Sequence, residues 1–273
     1  MDYLPARNFY IAVDKEKVLE TGTVQPKDSA LIVDRVDINI SNSYITKSEM
    51  AVLNIIAANN WERPIYFDHS LLHLNSLFFK EYLQFEGLAY RLIPIKTERA
   101  KSGEYGRINT DILYNNVMNK FVWGNVNDPN IFLDEYNKRS ISIMQVRYMF
   151  ARLAEALSNE GKNDNAVEVL DRLFEILPNE IIPLTFDSFP AAEQYFIAGA
   201  NEKGTALSRI LANNSFAMLE YYLSLPINMA SMIKNEQNRE VVMLQNIRYL
   251  AYTYNQNELF NEVDSRLKSL VEM

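Results

Sequence analysis

The spacing of apolar and polar positions changes character along this chain of 273 residues. In the first half, strand-like and helix-like stretches alternate. Residues 8–13 and 31–40 are rich in β-branched and aromatic side chains. Within the second run Val36, Ile38 and Ile40 alternate with Asp37 and Asn39, the period of a strand with one buried face. A helix is expected next. Thr46 stands three residues before Glu49, the pairing of a capping box, and Met50, Leu53, Ile56 and Ala57 recur at helical spacing until Asn59 and Asn60. Arg63 precedes Pro64 and is pushed toward extended geometry, so residues 65–67 read as a short strand. Residues 74–85 are predicted as a helix stopped by Gly87, and residues 88–95 as a strand ending near Pro94. The polar stretch 96–107, with Gly103 and Gly106, reads as a loop, and residues 109–121 as a helix before a turn cluster at 125–130.

The second half carries helical periodicity almost throughout and no convincing strand. Phe150, Leu153, Ala154 and Leu157 form one stripe, residues 160–164 a turn, and Ala166, Val169, Leu170, Leu173, Phe174 and Leu177 a second stripe that Pro178 ends. Bulky Phe150, small Ala154, small Ala166 and closing Pro178 fall at the intervals of a tetratricopeptide helix pair of ~34 residues. The pattern returns in the same phase as Ile247, Leu250, Ala251 and Tyr254, the counterparts of Phe150, Leu153, Ala154 and Leu157, followed after Asn255-Gln256-Asn257 by Val263, Leu267 and Leu270. The span between them, 191–225, fits as a degenerate middle unit. An ordinary antiparallel bundle shows stripes of the same spacing and is the plainer alternative. The expected fold is a small α+β or α/β domain over 1–138 followed by an all-α, tetratricopeptide-like repeat domain over 139–273. Repeat stacks of that kind present a concave docking surface and carry no catalytic chemistry themselves.

Composition narrows the function classes. At 48% hydrophobic and 23% charged the chain is globular, and no apolar run approaches the ~20 residues that span a bilayer, so no direct membrane insertion of this segment is expected. A net charge of -8 and a pI near 5.0 argue against nucleic acid as a partner. With no cysteine there is no disulfide, thiolate nucleophile or Cys-ligated metal. The N-terminus lacks the pattern of a signal peptide, which leaves a cytosolic protein or a soluble piece of a longer chain.

Few side-chain constellations along the chain suit chemistry. His69 and His73 stand four apart, but Ser70 occupies the place of the glutamate that a metalloprotease helix needs, and no metal site is expected. Glu62 and Arg63 beside Trp61 suit an ion pair and a packed aromatic better than an acid and an anion clamp. No phosphate loop or nucleophile elbow is present, so neither a catalytic residue nor a cofactor is expected. Trp61, Glu62, Arg63, Tyr66 and Arg91 remain as candidate ligand or interface residues. Asp28-Ser29-Ala30 has the form of an O-glycosylation triplet of exported Bacteroidetes proteins, a motif of low specificity.

Four runs carry a family resemblance: Asp14-Lys15-Glu16-Lys17-Val18-Leu19; Ile45-Thr46-Lys47-Ser48-Glu49; Asn59-Asn60-Trp61-Glu62-Arg63-Pro64-Ile65-Tyr66-Phe67; and Glu86-Gly87-Leu88-Ala89-Tyr90-Arg91-Leu92-Ile93-Pro94-Ile95. In that order they resemble the C-terminal soluble region of a large Bacteroidetes membrane-protein family of unknown function, grouped with protein O-mannosyltransferase-like glycosyltransferases. The resemblance implies a non-catalytic region at the periplasmic face of the inner membrane. Its implied partners are the membrane-embedded portion of the parent chain and a protein or peptide acceptor. The catalytic acid of such enzymes lies between membrane helices, so no catalytic residue carries over. Two alternatives stand beside it: an enzyme with a sugar or nucleotide site built from Glu62, Arg63, Tyr66 and Arg91, and a free-standing cytoplasmic repeat scaffold.

Overall fold

The computed structural model describes residues 7–40, 44–68, 78–99, 105–138, 140–229 and 232–271. The chain divides into two compact units, 1–116 and 117–273, so the stretch 117–138 groups with the helical part.

In the first unit, β1 (Asn8–Ala12) and β2 (Arg35–Asn39) pair antiparallel. Phe9 lies opposite Ile38 and Ile11 opposite Val36, so the alternation seen in the sequence sends one face inward, with Val36 and Ile38 buried. Between the strands, α1 (Lys15–Glu20) begins where the Asp14 carboxylate accepts a hydrogen bond from the Lys17 amide. The capping box of α2 (Lys47–Asn59) is complete: Thr46 Oγ1 accepts from the Glu49 amide, and the Glu49 carboxylate accepts from the Thr46 amide. The apolar stripe expected on α2 is only partly used. Ile56 is buried, while Met50 and Ile55 are more than half exposed.

A second sheet joins β3 (Tyr66–Asp68), β4 (Leu83–Phe85), β5 (Ala89–Leu92) and β6 (Arg107–Ile108) in the order β3-β5-β4-β6. All pairs are antiparallel except β4 with β6. Here the helix expected over 74–85 is corrected: residues 80–82 form a 3-10 turn and 83–85 a strand, with 74–77 outside the described residues. Leu83, Gln84 and Phe85 are all buried, and such a continuous run has no period to separate strand from helix. The sheet has two distinct rows. Phe67, Tyr90, Phe85 and Ile108 stand in register on the apolar face, and Tyr66, Arg91, Gln84 and Arg107 in register on the other. Gly106, at φ +92°, passes so close to Tyr90 that a Cβ would sit 2.8 Å from its ring. The unit closes with α3 (Thr110–Asn115), capped by Asn109.

In the second unit, after the short α4 (Glu135–Lys138), the helices come in pairs: α5 (Ile141–Asn159) with α6 (Asn163–Ile176), α7 (Phe189–Ile197) with α8 (Asn201–Ser224), and α9 (Lys234–Thr253) with α10 (Asn257–Val271). Further packing of α5 on α7, α6 on α7, α8 on α9 and α8 on α10 links each hairpin to the next. All three hairpins turn at one left-handed residue, Gly161, Gly199 or Asn255. Each turn is closed by the same bond, from the amide of Lys162 to Leu157, of Ala200 to Tyr195, and of Gln256 to Ala251.

The stripe residues Phe150, Leu153, Ala154, Leu157, Ala166, Leu170, Leu250 and Ala251 are buried, with Pro178 and Tyr254 half-buried. The hairpins are nevertheless unequal. α7 has 9 residues and α8 has 24, against 19 and 14 in the first pair. Aligning Gly161 with Asn255 sets Arg248, not Ala251, opposite Ala154, so the returning stripe lies nearly one turn away from the phase read in the sequence.

Candidate functional site

The run around Trp61 is a tight helix-to-strand turn. Asn60 and Trp61 both adopt left-handed backbone, φ 45° and 62°, a conformation that a bulky side chain disfavours. The indole compensates: it is 5% exposed and its Nε1 donates to the Ala12 carbonyl at 3.0 Å. Asn59 Nδ2 donates to the Arg63 carbonyl at 2.8 Å and closes the turn. The cavity at this point, lined by Trp61, Ile56, Ile65 and Leu92 among others, holds only about 10 Å3, too little for a ligand.

Glu62 and Arg63 lie on the outside of that turn, both exposed. Glu62 accepts from Lys17 Nζ at 2.8 Å, and this hydrogen bond and charge hold its carboxyl below the usual glutamate range. It is a paired carboxylate and not a proton donor at neutral pH. Tyr66 and Arg91 are neighbours across β3 and β5, with the guanidinium 5.9 Å from the phenol ring. Tyr66 Oη donates to Glu86 Oε2 at 2.9 Å; partial burial first, and then this bond to a carboxylate, raise the phenol pKa. A phenol so held is a poor base or nucleophile at neutral pH. The structure thus brings Tyr66 and Arg91 together, and sets Glu62 and Arg63 on the preceding turn with Lys17.

Sequence reasoning missed what surrounds this pair. Glu86, 8% exposed, also accepts from Gln84 Nε2 at 2.8 Å and lies 3.9 Å from Arg91. Farther along the row, Arg107 donates to Asp28 Oδ1 at 2.7 Å, and Asn109 Nδ2 reaches Asp28 Oδ2 at 3.2 Å. Arg107 and Asp28 thus form a close ion pair across the sheet, whereas Arg91 stays at a distance from Glu86 and its buried Nε has no hydrogen-bond partner among the described residues. Asp28, the acid of the glycosylation-like triplet, is one of these partners and is 8% exposed. Among the described residues no cluster of three metal-ligating side chains occurs, and His69 and His73 lie outside them.

The helical unit holds the open surfaces. One groove of about 350 Å3 runs between α6, α7 and α8, but its Asp171 is already bonded to Tyr195 at 2.9 Å and Lys203 at 2.6 Å. A second, also about 350 Å3, lies between Phe186 and Phe189 at the start of α7 and the outer face of α9, where it meets Asn235, Asn238, Arg239, Val242, Met243 and Asn246. A signal for this second groove was present: three asparagines at helical spacing, opposite the buried stripe of Leu244, Ile247 and Leu250.

By its fold the chain is an α+β domain leading into a helical domain of stacked hairpins, with no helix among the described residues long and apolar enough to cross a membrane. Residues 1–112 match the model of the family described as TMEM260-associated domain 2. All four runs behind the resemblance fall inside the match. No curated protein and no solved structure matches the chain.

Proposed function

We propose that this chain is the soluble, non-catalytic region of a membrane-bound protein O-mannosyltransferase-like glycosyltransferase, on the periplasmic face of the inner membrane in a Bacteroidetes species. In this reading its tetratricopeptide-like half binds or positions protein and peptide acceptors, or braces the membrane domain. The observation that carries it is the series of three linked helical hairpins with an open groove between the start of α7 and α9. The family match over residues 1–112 supports the membrane context. The close Arg107–Asp28 pair and the bonding of Glu86 to Tyr66 and Gln84 support a structural role for the first unit, with the reaction centre on the parent chain.

The test is a calorimetric titration of the 273-residue chain with unfolded segments of exported proteins, and separately with the membrane portion of the parent protein in detergent. Binding to either is expected at micromolar concentration. Silence toward both at high micromolar concentration overturns the reading.

A further inference from the structure

The outer face of α9 breaks a local rule. Asparagine is a mediocre helix former because its carboxamide competes for backbone hydrogen bonds. Yet Asn235, Asn238 and Asn246 all lie on the exposed side of this helix. At 100° per residue they fall within about 60° of one line, together with Arg239, Val242 and Tyr249. None of the three carboxamides makes a hydrogen bond among the described residues. Sequence positions that sacrifice local preference without an internal gain are where function is expected.

What faces them is specific. The Phe186 ring, 36% exposed, and Phe189 form the opposite wall, and Met243, 3% exposed, and Val242 lie on the α9 side. Arg239 is the only charged residue among the described ones that line the groove, with its guanidinium 5.4 Å from the centre of the Phe186 ring. The half-buried Glu236 on the same helix is 4.0 Å away, a contact too loose to neutralise it.

We propose that this groove binds an extended, acidic polypeptide segment: Asn235, Asn238 and Asn246 pair with its main chain, Arg239 meets a carboxylate, and an apolar side chain packs between Phe186 and Val242. A carboxamide presents one acceptor and two donors, so each can pair with both the N–H and the C=O of an extended strand. From Asn235 to Asn246 α9 rises about 16 Å, the length of about five extended residues. The single lining cation selects for acidic segments against basic ones. This inference rests on the docking function proposed above and adds to it the site and the chemistry of the partner.

The experiment uses the 273-residue chain and a blocked, unstructured peptide alternating leucine, threonine and aspartate. Its controls are the same peptide with lysine for aspartate and the same peptide with N-methylated main-chain amides. The triple variant Asn235→Ala/Asn238→Ala/Asn246→Ala is expected to bind the parent peptide about tenfold or more weakly, the loss of one or two net hydrogen bonds. Alanine raises helix propensity, so such a loss does not arise from unfolding of α9. Arg239→Gln is expected to remove the preference for aspartate over lysine. N-methylation is expected to weaken binding to the wild-type chain and to leave the triple variant unaffected. Undiminished binding by the triple variant overturns this groove while leaving the docking function intact, whereas no peptide or membrane-portion binding by the wild-type chain overturns both. Sedimentation showing a dimer that the triple variant abolishes assigns the groove to a second copy and also overturns the proposal.

Discussion

Arg147 lies in α5 with 1% of its surface exposed, among the largest fully buried side chains of the molecule. Its Nη1 donates to both carboxylate oxygens of Asp187 at 3.1 Å, and its Nη2 to the carbonyls of Ile182 at 2.9 Å and Pro183 at 3.3 Å. One side chain thereby holds the whole connection between α6 and α7, including the turn that presents Phe186 and Phe189. Arg147→Ala strands a buried carboxylate, and chemical denaturation is expected to show a loss of about 3–5 kcal/mol. Arg147→Met with Asp187→Leu removes both charges and is expected to recover most of that loss; equal damage from the single and double variants contradicts the ion-pair account. Glu193 on α7 acts in the opposite sense. Partial burial, then the like charge of Glu155 on α5, raises its carboxyl pKa from the ordinary 4.5, and Tyr254 at the end of α9 is also affected by its charge. An acid raised in the folded state opposes folding once ionised. The penalty is absent below the unfolded value near 4.5, grows as pH rises through the folded value, and is complete at neutral pH. Glu193→Gln is therefore expected to raise the denaturation midpoint at pH 7 and to leave it unchanged below about pH 4, checked by urea titrations across that range.

At the scale of elements, the approach of α7 to α8 depends on a missing side chain. A Cβ on Gly204 would sit 2.8 Å from Phe196 Cε2 and 2.9 Å from Cδ2, and the same ring stacks on Tyr254 at 4.8 Å. The ring cannot yield toward Tyr254, so Gly204→Ala is expected to cost about 1–3 kcal/mol by overpacking, against a helix-propensity gain of about 1 kcal/mol. Adding Phe196→Leu relieves the clash, and thermal denaturation of the single and double variants measures both terms. Elements were legible where a local signal sufficed: the Thr46–Glu49 box marked α2, Val36 and Ile38 marked β2, and Phe150 to Leu157 marked α5. They were illegible where the cause was distant in sequence. Leu83 to Phe85 is a strand because β5 and β6 flank it, and Arg107–Ile108 is a strand only through β4. Of the candidate site, the Tyr66–Arg91 pairing was legible as residue types but not as geometry, since Gln84 on a third strand and Glu86 just beyond its end complete it. Arg147 reads as an ordinary solvent-facing helix residue until Asp187, forty positions on, is placed against it.

At the scale of the molecule, the helical unit behaves as a linear series or as a closed bundle, and removing one end distinguishes the two. In the series, α8 is the shared element. Its buried residues, among them Leu207, Leu211, Phe216 and Leu219, meet α7 on one side and α9 and α10 on the other. The outer contact is reinforced by Arg209 to Glu262 at 3.0 Å, Arg266 to Glu220 at 3.1 Å, and the Arg266 guanidinium 4.0 Å from the Phe216 ring centre. A chain ending at residue 232 loses this side of α8 while α5, α6 and α7 keep their mutual contacts. Quasi-one-dimensional stability then predicts a lower midpoint with the first hairpins still natively packed, since each hairpin is stabilised chiefly by its neighbours. Trp123, whose ring lies 5.5 Å from that of Phe150 on α5, reports on that packing once Trp61 is replaced by Phe. Its near-ultraviolet circular dichroism band is expected to persist at low temperature in the shortened chain and to melt in a single transition at reduced temperature. A band lost outright, with helical far-ultraviolet signal retained, indicates instead one cooperative core in which α9 and α10 are as necessary to α5 as α6 is.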